Sequence, residues 1–504
     1  MRRSVWRCVD SLGARQLNVF KVLTRGRFSS AFIWNLAGVG LPLAFALYAI
    51  PQLLAGFGGA RFGFLTIVWA VIGYFSVFDL GLGRALTRLV SVNIANRSHD
   101  IPSLVITAMT AIAALGLLFS IPLILGAPAI VRTFFSDDSG ISNELSLSLT
   151  IMAASLPMVT SSSAMIGTLE AYGKFGLINR VRVVVGLLNF GVPLLVLGFT
   201  RSLVVTTIAL VVLRSASTVV YGAAVSAVIG GVPSIRLWSG AHLKELWKFG
   251  SWITLSNLIS PLMSQLDRLV IGAMLSLAVL PIYSIPGDMA NRLSFIPVAL
   301  VGVLFPAFAK AREEGGGGEL QIYRYGNFLM LFGILPLLFS VFCFSREGLR
   351  LWIDESFAND SYQLLRWLAI GFMFNALARL PHALLQGGGR PDLTAKIHVI
   401  ELPIYGLVLW FLLQRYGILG AAIAWTTRMA LDFAMMAWAA RHVSKETSST
   451  SVAVAVLGVV AVVLSIGASA VDILWLRASL VSVFSVTSLA LGFISLRRLE
   501  GQGG

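Results

Sequence analysis

Four charged residues lie inside two apolar stretches of the chain. Asp267 and Arg268 interrupt the first stretch, and Asp288 and Arg292 interrupt the second. A short turn at 277–281 joins the two, so both pairs lie at one depth, roughly 15 Å from the turn if the stretches are helices. An ionised side chain at the centre of a bilayer costs about 2.5 kcal/mol or more. The four charges predict either internal ion pairs that lock the hairpin or the wall of a polar cavity.

Three further arginines also lie within apolar stretches, namely Arg214, Arg379 and Arg428. They have few acidic neighbours in sequence, although Asp432 follows Arg428 at i+4 and can neutralise it. A cavity with more cations than anions suits an anionic substrate. A phosphate or diphosphate is the simplest choice, because the planar guanidinium grips phosphate oxygens in pairs.

A third charged group occurs in the segment FDLGLGRALTRLVS, where Asp79 is followed by Arg84 and Arg88. We place these residues at the inner mouth of the cavity; the alternative is that the two arginines only anchor the span on its cytoplasmic side. The glycines do not form a dinucleotide loop, because no strand precedes them. No group of His, Cys and carboxylate residues has metal-ligand spacing, so we expect no metal site.

Composition assigns the chain to the membrane proteins. The 504 residues are 57% hydrophobic and 12% charged, whereas about a quarter of a soluble domain is charged. Apolar runs long enough to span a bilayer recur along the chain, without the alternating pattern of a barrel. Hydropathy therefore predicts an all-α integral membrane protein with about 14 transmembrane helices.

The net charge of +15 is explained by topology, so we predict no nucleic-acid partner. With the N-terminus inside, about 25 basic residues lie in inner loops and roughly 8 in outer loops, as the positive-inside rule requires. Both termini are then cytoplasmic. The two cysteines, Cys8 and Cys343, are far apart and imply no disulfide framework.

A weak internal repeat divides the chain. The segment LEAYGKFGLINRVRVVVG resembles LQGGGRPDLTAKIHVIEL, and a similar offset places Arg214 opposite Arg428. Both copies share an orientation, which is typical of two parallel lobes around a midplane site. The predicted parts are a basic segment (1–31), an N-lobe of six helices (32–229), an amphipathic linker (230–250), a C-lobe of six helices (251–442), and a further helix pair with a cytoplasmic tail (443–504).

The segments FDLGLGRALTR, LDRLVIGAMLSLAVLPIYSI and FIPVALVGVLFPAFA resemble the polysaccharide flippases of the multidrug/oligosaccharidyl-lipid/polysaccharide exporter superfamily. The resemblance implies a MATE-like fold with a cationic cavity. The residues at its motif positions are Arg84, Arg88, Arg268 and Arg292, beside Asp79, Asp267 and Asp288.

The same resemblance implies an activity. The implied substrate is an undecaprenyl-diphosphate-linked oligosaccharide, moved across the bacterial inner membrane for O-antigen, capsule or exopolysaccharide synthesis. No cofactor is implied, and an H⁺ or Na⁺ gradient is the candidate driving force. Membrane lipids, a polysaccharide polymerase and a chain-length regulator are the candidate partners.

Two other functions compete with this interpretation. A multidrug or cation antiporter of the same superfamily would need acids to dominate the cavity, and arginines dominate here. A membrane enzyme, such as a polysaccharide polymerase or ligase, would need a sizeable outer loop with an acid–base or nucleophile set. The longest predicted outer segment, 345–362, is short, so we predict a transporter rather than an enzyme.

Overall fold

The computed structural model describes residues 28–73, 79–96, 100–134, 141–232, 234–294, 318–387, 390–442 and 446–501, with 297–298, 300–301, 304 and 308. Within these ranges the regular structure is helical and contains no strand. Ten of the described helices are long and apolar enough to cross a membrane. The predicted all-α fold is confirmed, whereas the count of 14 spans stays a prediction. The predicted basic segment 1–31 lies almost entirely outside the described residues.

Long apolar segments form helices because a helix satisfies every backbone polar group within the segment, as a bilayer requires. The helices are α1 Phe28–Gly73, α2 Leu82–Ala95, α3 Ile101–Phe134, α4 Ser142–Ala171, α5 Phe175–Leu197, α6 Leu203–Ile229, α7 Gly240–Met274, α8 Leu280–Arg292, α9 Glu319–Cys343, α10 Ser345–Trp352, α11 Glu355–Gly387, α12 Pro391–Ala440, α13 Thr447–Ser469 and α14 Leu474–Gly501.

Two of these helices turn sharply at a glycine. Gly58 in α1 has φ 73° and Gly417 in α12 has φ 56°, a backbone conformation that glycine adopts without steric cost. Each of the two helices therefore consists of two arms. Hydropathy predicts spans at 32–54 and 62–82, which fall largely on the two arms of α1. It also predicts spans at 397–413 and 419–438, which fall on the two arms of α12.

The helices pack in two groups along the sequence. In the first, α3 and α6 pack on α4, α2 packs on α3 and α4, and α1 packs on α5. In the second, α12 and α8 pack on α11, and α9 contacts α11, α13 and α14. Many large apolar side chains on the outer faces are exposed, including Leu125 and Phe199. Exposed apolar surface on this scale fits a chain surrounded by lipid.

The two groups contact each other at the predicted inner end through α7. Leu246 near its start is fully buried in a cluster formed by α2 to α6. The segment before α7 is held by hydrogen bonds from Ser103 Oγ to the carbonyl of Leu237 (2.6 Å) and from Ser239 N to Thr107 Oγ1 (3.1 Å). The predicted linker 230–250 thus contains a short 3₁₀ turn and the first turns of α7, and α7 continues without interruption to Met274.

The groups also touch at the predicted outer end, where α1 meets α8 and α10. A Cβ added at Gly63 would lie 2.0 Å from the carbonyl oxygen of Leu277, so only glycine permits this approach. The indole Nε1 of Trp352 donates a hydrogen bond to the carbonyl of Leu47 at 2.6 Å. Contacts between the groups therefore lie at both ends of the helices, and a cavity lies between them.

The last two helices, α13 and α14, pack on α9. Arg477 at the start of α14 is 7% exposed and connects three elements. Its guanidinium donates to the carbonyls of Val471 (2.9 Å) and Cys343 (3.2 Å) and to the carboxylate of Glu347. This residue fixes the helix pair to α9 and α10.

Candidate substrate cavity

A cavity of about 1020 Å³ lies between the two groups of helices. Its wall is formed by α1, α4, α5 and α6 on one side and by α7, α8, α11 and α12 on the other, with Trp352 of α10 at the predicted outer end. The charged residues on the described wall are six arginines and two aspartates. The cavity is therefore cationic, as the sequence predicts, and its volume is at the upper end of the range for small-molecule sites.

The α7–α8 hairpin supplies four of these charges. Arg268 on α7 pairs with Asp288 on α8, and the Arg268 side chain is 13% exposed. Asp267 is 4% exposed and accepts hydrogen bonds from the Tyr283 hydroxyl and from the Arg268 backbone N–H (2.9 Å). From the sequence, Asp288 can pair with Arg268 across the hairpin or with Arg292 at i+4 in its own helix, and the structure shows the cross-helix pair. Arg292, the last residue of α8, lines the cavity separately.

Arg428 enters the cavity from the second arm of α12. Its Nε lies 3.2 Å from Glu401 Oε1 and its Nη1 donates to the carbonyl of Met263 at 2.9 Å. The guanidinium carbon also lies 5.0 Å from the ring centroid of Tyr405, within cation–π range. The sequence named Asp432 as the neutralising acid, whereas the direct partner is Glu401 on the other arm of the same helix.

Arg379 on α11 is the remaining cation of this side. It lines the cavity, and its Nε is buried without a hydrogen-bond partner among the described residues. Asp432 interacts with it electrostatically. Arg379 is thus only partly compensated by an acid.

The opposite wall carries Arg182 on α5 and Arg214 on α6. Arg214 contacts the side-chain oxygen of Asn189 at 3.4 Å, and both arginines interact electrostatically with Tyr221. Neither forms an ion pair with a carboxylate of the described residues. This wall therefore presents two uncompensated guanidinium groups to the cavity.

Arg182 is a cavity residue that the sequence analysis missed. The tally of basic residues in inner loops includes Arg182. That assignment is wrong, because α5 begins at Phe175 and Arg182 lies two turns inside it. The sequence signal for Arg182 is the apolar run VVVGLL that follows it at 183–188, which indicates a position inside a span.

Three predicted residues do not belong to the described wall, namely Asp79, Arg84 and Arg88. Asp79 is 5% exposed and accepts a hydrogen bond from the N–H of Gly81 at 2.8 Å. It stabilises the turn before α2, where Leu80 and Gly81 both have positive φ. Arg84 and Arg88 lie on the exposed face of α2. Their predicted position at the inner mouth of the cavity stays a prediction.

The structure also brings together a group that sequence reasoning did not find. His398, Glu401 and Asp432 place nitrogen and carboxylate oxygen atoms within 4.8 Å of one another beside Arg428. His398 and Glu401 are three residues apart on one arm of α12, a spacing that puts them on one helix face. Asp432 comes from the other arm, so no local pattern could indicate the whole group.

The fold resembles those of membrane transporters. A structure titled as the lipid II flippase MurJ in an inward closed conformation matches with a TM-score of 0.71 at 12% identity, over 92% of this chain and 99% of that chain. An inward-facing multidrug resistance MATE transporter of the MOP superfamily matches with a TM-score of 0.66 at 14% identity, over 82% of this chain and 98% of that chain. The predicted MATE-like architecture is confirmed.

Sequence comparison gives the family. A family model described as "Polysaccharide biosynthesis protein" matches residues 57–359, and the chain belongs to that family. A candidate O-antigen transporter of Shigella flexneri is 29% identical over 81% of this chain and 96% of its own length. The teichuronic acid biosynthesis protein TuaB of Bacillus subtilis is 23% identical over 54% of this chain and 55% of its own length.

These comparisons confirm the resemblance found in the sequence. The chain is a multi-pass membrane protein of the polysaccharide biosynthesis family, and its fold is that of MATE transporters and MurJ. The Shigella relative and the two structural neighbours are named as transporters or as a flippase, which supports the prediction of a transporter rather than an enzyme.

Proposed function

We propose that this chain moves an undecaprenyl-diphosphate-linked oligosaccharide from the cytoplasmic to the periplasmic leaflet of the bacterial inner membrane. The glycan serves O-antigen, capsule or exopolysaccharide synthesis. Both termini lie in the cytoplasm, and the lobes 32–229 and 251–442 alternate between inward-open and outward-open arrangements. Ions moving down an H⁺ or Na⁺ gradient drive the exchange without a cofactor. A polymerase and a chain-length regulator act on the delivered glycan.

The observation that carries the proposal is the charge of the cavity wall. Six arginines face two aspartates, and Arg182, Arg214 and Arg292 form no ion pair with an acid among the described residues. A diphosphate diester brings two negative charges and several acceptor oxygens, which paired guanidinium groups bind well. The sugars would occupy the rest of the cavity, while the polyprenyl chain stays in the bilayer.

The distribution of the unpaired arginines supports one position for the diphosphate. Arg268 and Arg428 each hold a carboxylate, so a substrate anion must compete for them. Arg182 and Arg214 carry no such competitor. We therefore place the diphosphate first against α5 and α6, with Arg292 and Arg379 completing the site across the cavity.

A flipping assay tests this proposal. The full chain is reconstituted into liposomes with a fluorescent short-chain lipid-linked oligosaccharide, and the fraction accessible from outside is followed with time. Charge-assisted hydrogen bonds contribute about 1.5–3 kcal/mol, so Arg182→Gln and Arg214→Gln should each slow flipping at low substrate concentration by about tenfold or more. Arg201→Gln is the matched control, because Arg201 is exposed and lies outside the cavity.

Two results would contradict the proposal. Flipping at the normal rate in the double variant of Arg182 and Arg214 would remove the diphosphate site. Drug-cation transport in the unmodified chain, with no flipping of the lipid-linked sugar, would favour the antiporter instead.

A further inference from the structure

A pair of buried carboxyl groups lies directly behind the cavity wall. Glu401 is 2% exposed, and its Oε2 has no hydrogen-bond partner among the described residues. Asp432 Oδ1 is also buried without a hydrogen bond, and His398 Nε2 lies 3.8 Å from it. The carboxylate and imidazole atoms of the three residues all lie within 4.8 Å of one another. Two buried carboxyl groups with oxygens within 4.8 Å of each other repel when both are ionised, and this repulsion favours the binding of one proton by the pair.

The charges around this pair are few. From α11, Arg379 interacts electrostatically with Asp432, and His382 stacks on His398 with ring centroids 6.0 Å apart. From α12 itself come Arg428 and the phenol of Tyr405. From α7, the carboxylate of Asp267 interacts with Arg428.

The other neighbouring helix, α13, contains no titratable side chain. With both carboxyl groups ionised, Arg379 and Arg428 balance them. One added proton leaves a net positive charge at the cavity wall.

Arg428 connects the pair to the cavity. Its Nε binds Glu401 at 3.2 Å, and the same guanidinium lines the cavity beside the substrate space. Its contact with the carbonyl of Met263 at 2.9 Å ties it to α7. An anion in the cavity and the carboxylate of Glu401 therefore need the same guanidinium.

We propose that Glu401 and Asp432 form a proton-binding site that controls whether Arg428 can bind the diphosphate. When the pair is unprotonated, Glu401 holds Arg428. When a proton binds a carboxylate oxygen of the pair, this hold weakens and Arg428 turns to the substrate anion. The inference rests on the proposed function, because it requires an anionic substrate in the cavity.

Thermodynamic linkage makes the effect reciprocal. If a proton raises the affinity for the diphosphate, the bound diphosphate raises the affinity for the proton by the same factor. Substrate and proton then bind together and are released together, so a proton bound at this site moves in the same direction as the substrate. An inward proton gradient cannot drive the outward movement of a substrate that carries the proton with it. This site therefore makes substrate binding depend on pH and is separate from the ion movement that drives export.

Calorimetry on the full chain in lipid nanodiscs tests the proposal. The probe is a short-chain prenyl diphosphoryl sugar, a diphosphate diester whose own charge is constant from about pH 5.5 to about pH 8. Binding is measured across this range in two buffers that differ in ionisation enthalpy, which gives the protons taken up per ligand. For the unmodified chain we expect uptake of up to about one proton and affinity that rises by up to about tenfold for each pH unit lowered.

The variant Glu401→Gln should bind at every pH with at least the affinity that the unmodified chain has at low pH, and with no proton uptake by this site. Asp432→Asn should move the rise in affinity to lower pH. Without the neighbouring carboxylate, Glu401 stays ionised to a lower pH and binds its proton only there. Asp360→Asn is the control, since Asp360 is exposed and distant from the cavity wall. It should leave the pH profile unchanged.

The outcomes separate the two proposals. Binding by the unmodified chain without pH dependence or proton uptake overturns the proton site and leaves the flippase proposal standing. The same holds if Glu401→Gln keeps the original pH profile. Absence of probe binding at every pH overturns the proposed function itself. The proton-uptake measurement needs no variant, so the test does not depend on Glu401→Gln being stable.

Discussion

A hydrogen bond from Trp352 to the backbone carbonyl of Leu47 joins the two groups of helices at the predicted outer end. The helix that contains Leu47 offers this carbonyl no i+4 donor. The carbonyl of Leu47 in α1 would normally accept from the N–H of residue 51, but that residue is Pro51 and has no N–H. The indole Nε1 of Trp352, from α10 in the other group, donates to this carbonyl at 2.6 Å. We therefore predict that this bond favours the state in which the outer end is closed.

The perturbation is Trp352→Phe, which keeps an aromatic ring and removes the N–H. A hydrogen bond between neutral groups contributes about 1 kcal/mol net, and a bond of this size changes a two-state ratio about fivefold. Opening the outer end exposes the Leu47 carbonyl to water, which replaces part of the lost bond. We expect the ratio of closed to open molecules to fall by about threefold to tenfold.

A second substitution tests the reason for the bond. Pro51→Ala supplies a backbone N–H that can donate to Leu47 within α1, so the Trp352 indole competes with a local donor. The effect of Trp352→Phe should then be clearly smaller in the Pro51→Ala background than in the unmodified chain. This difference is the coupling energy of a double-mutant cycle.

Distances between spin labels measure the ratio. Arg201→Cys and Asn359→Cys place labels on exposed residues at the predicted outer end of the two groups. Cys8 is replaced by serine, while Cys343 is buried and can stay. Unchanged distance populations in Trp352→Phe would refute the role of the bond. An equal shift with and without Pro51→Ala would refute the explanation based on the free carbonyl.

Two further predictions concern packing. Gly63→Ala should shift the labels toward the open distance, because its Cβ would lie 2.0 Å from a backbone oxygen of the α7–α8 turn; Gly406→Ala, with open space around it, should not. Arg477→Met should destabilise the chain by about 2–4 kcal/mol in thermal unfolding, since it leaves Glu347 and two carbonyls unpaired. Arg415→Met at an exposed position is its control, and equal melting of the two variants would contradict the role of Arg477.

The sequence indicated the helical membrane fold and the main charged hairpin, because both depend on apolar length and on isolated charges. It did not determine which acid each arginine meets. Asp288 had one partner across the hairpin and one within its own helix, and both spacings were acceptable. Asp288 pairs with Arg268 on the other helix, and Arg292 is the last residue of α8. The direction of the side chains, rather than their separation in sequence, therefore determines which arginine Asp288 meets.

Other parts of the site depend on long-range folding. Glu401 and Asp432 meet because α12 turns at Gly417, whose positive φ places the two arms side by side. Arg182 lies near the inner end of α5, where the positive-inside rule already accounts for a basic residue, so the sequence did not separate it from the loop cations. Arg84 and Arg88 shared a motif with the family, but their side chains follow the exposed face of α2.

The unequal pairing of the arginines has a consequence for transport. A carrier must bind its substrate in one state and release it in the other, so very tight binding in both states would stop the cycle. Arg182 and Arg214 alone would hold a diphosphate in either state. Arg268 and Arg428 each have a carboxylate that competes with the substrate, so their contribution changes with the position and protonation of that carboxylate. Arg268 and Arg428 can therefore make the affinity for the proposed substrate differ between the inward-open and outward-open states. Arg182 and Arg214 contribute the part of the affinity that is the same in both states.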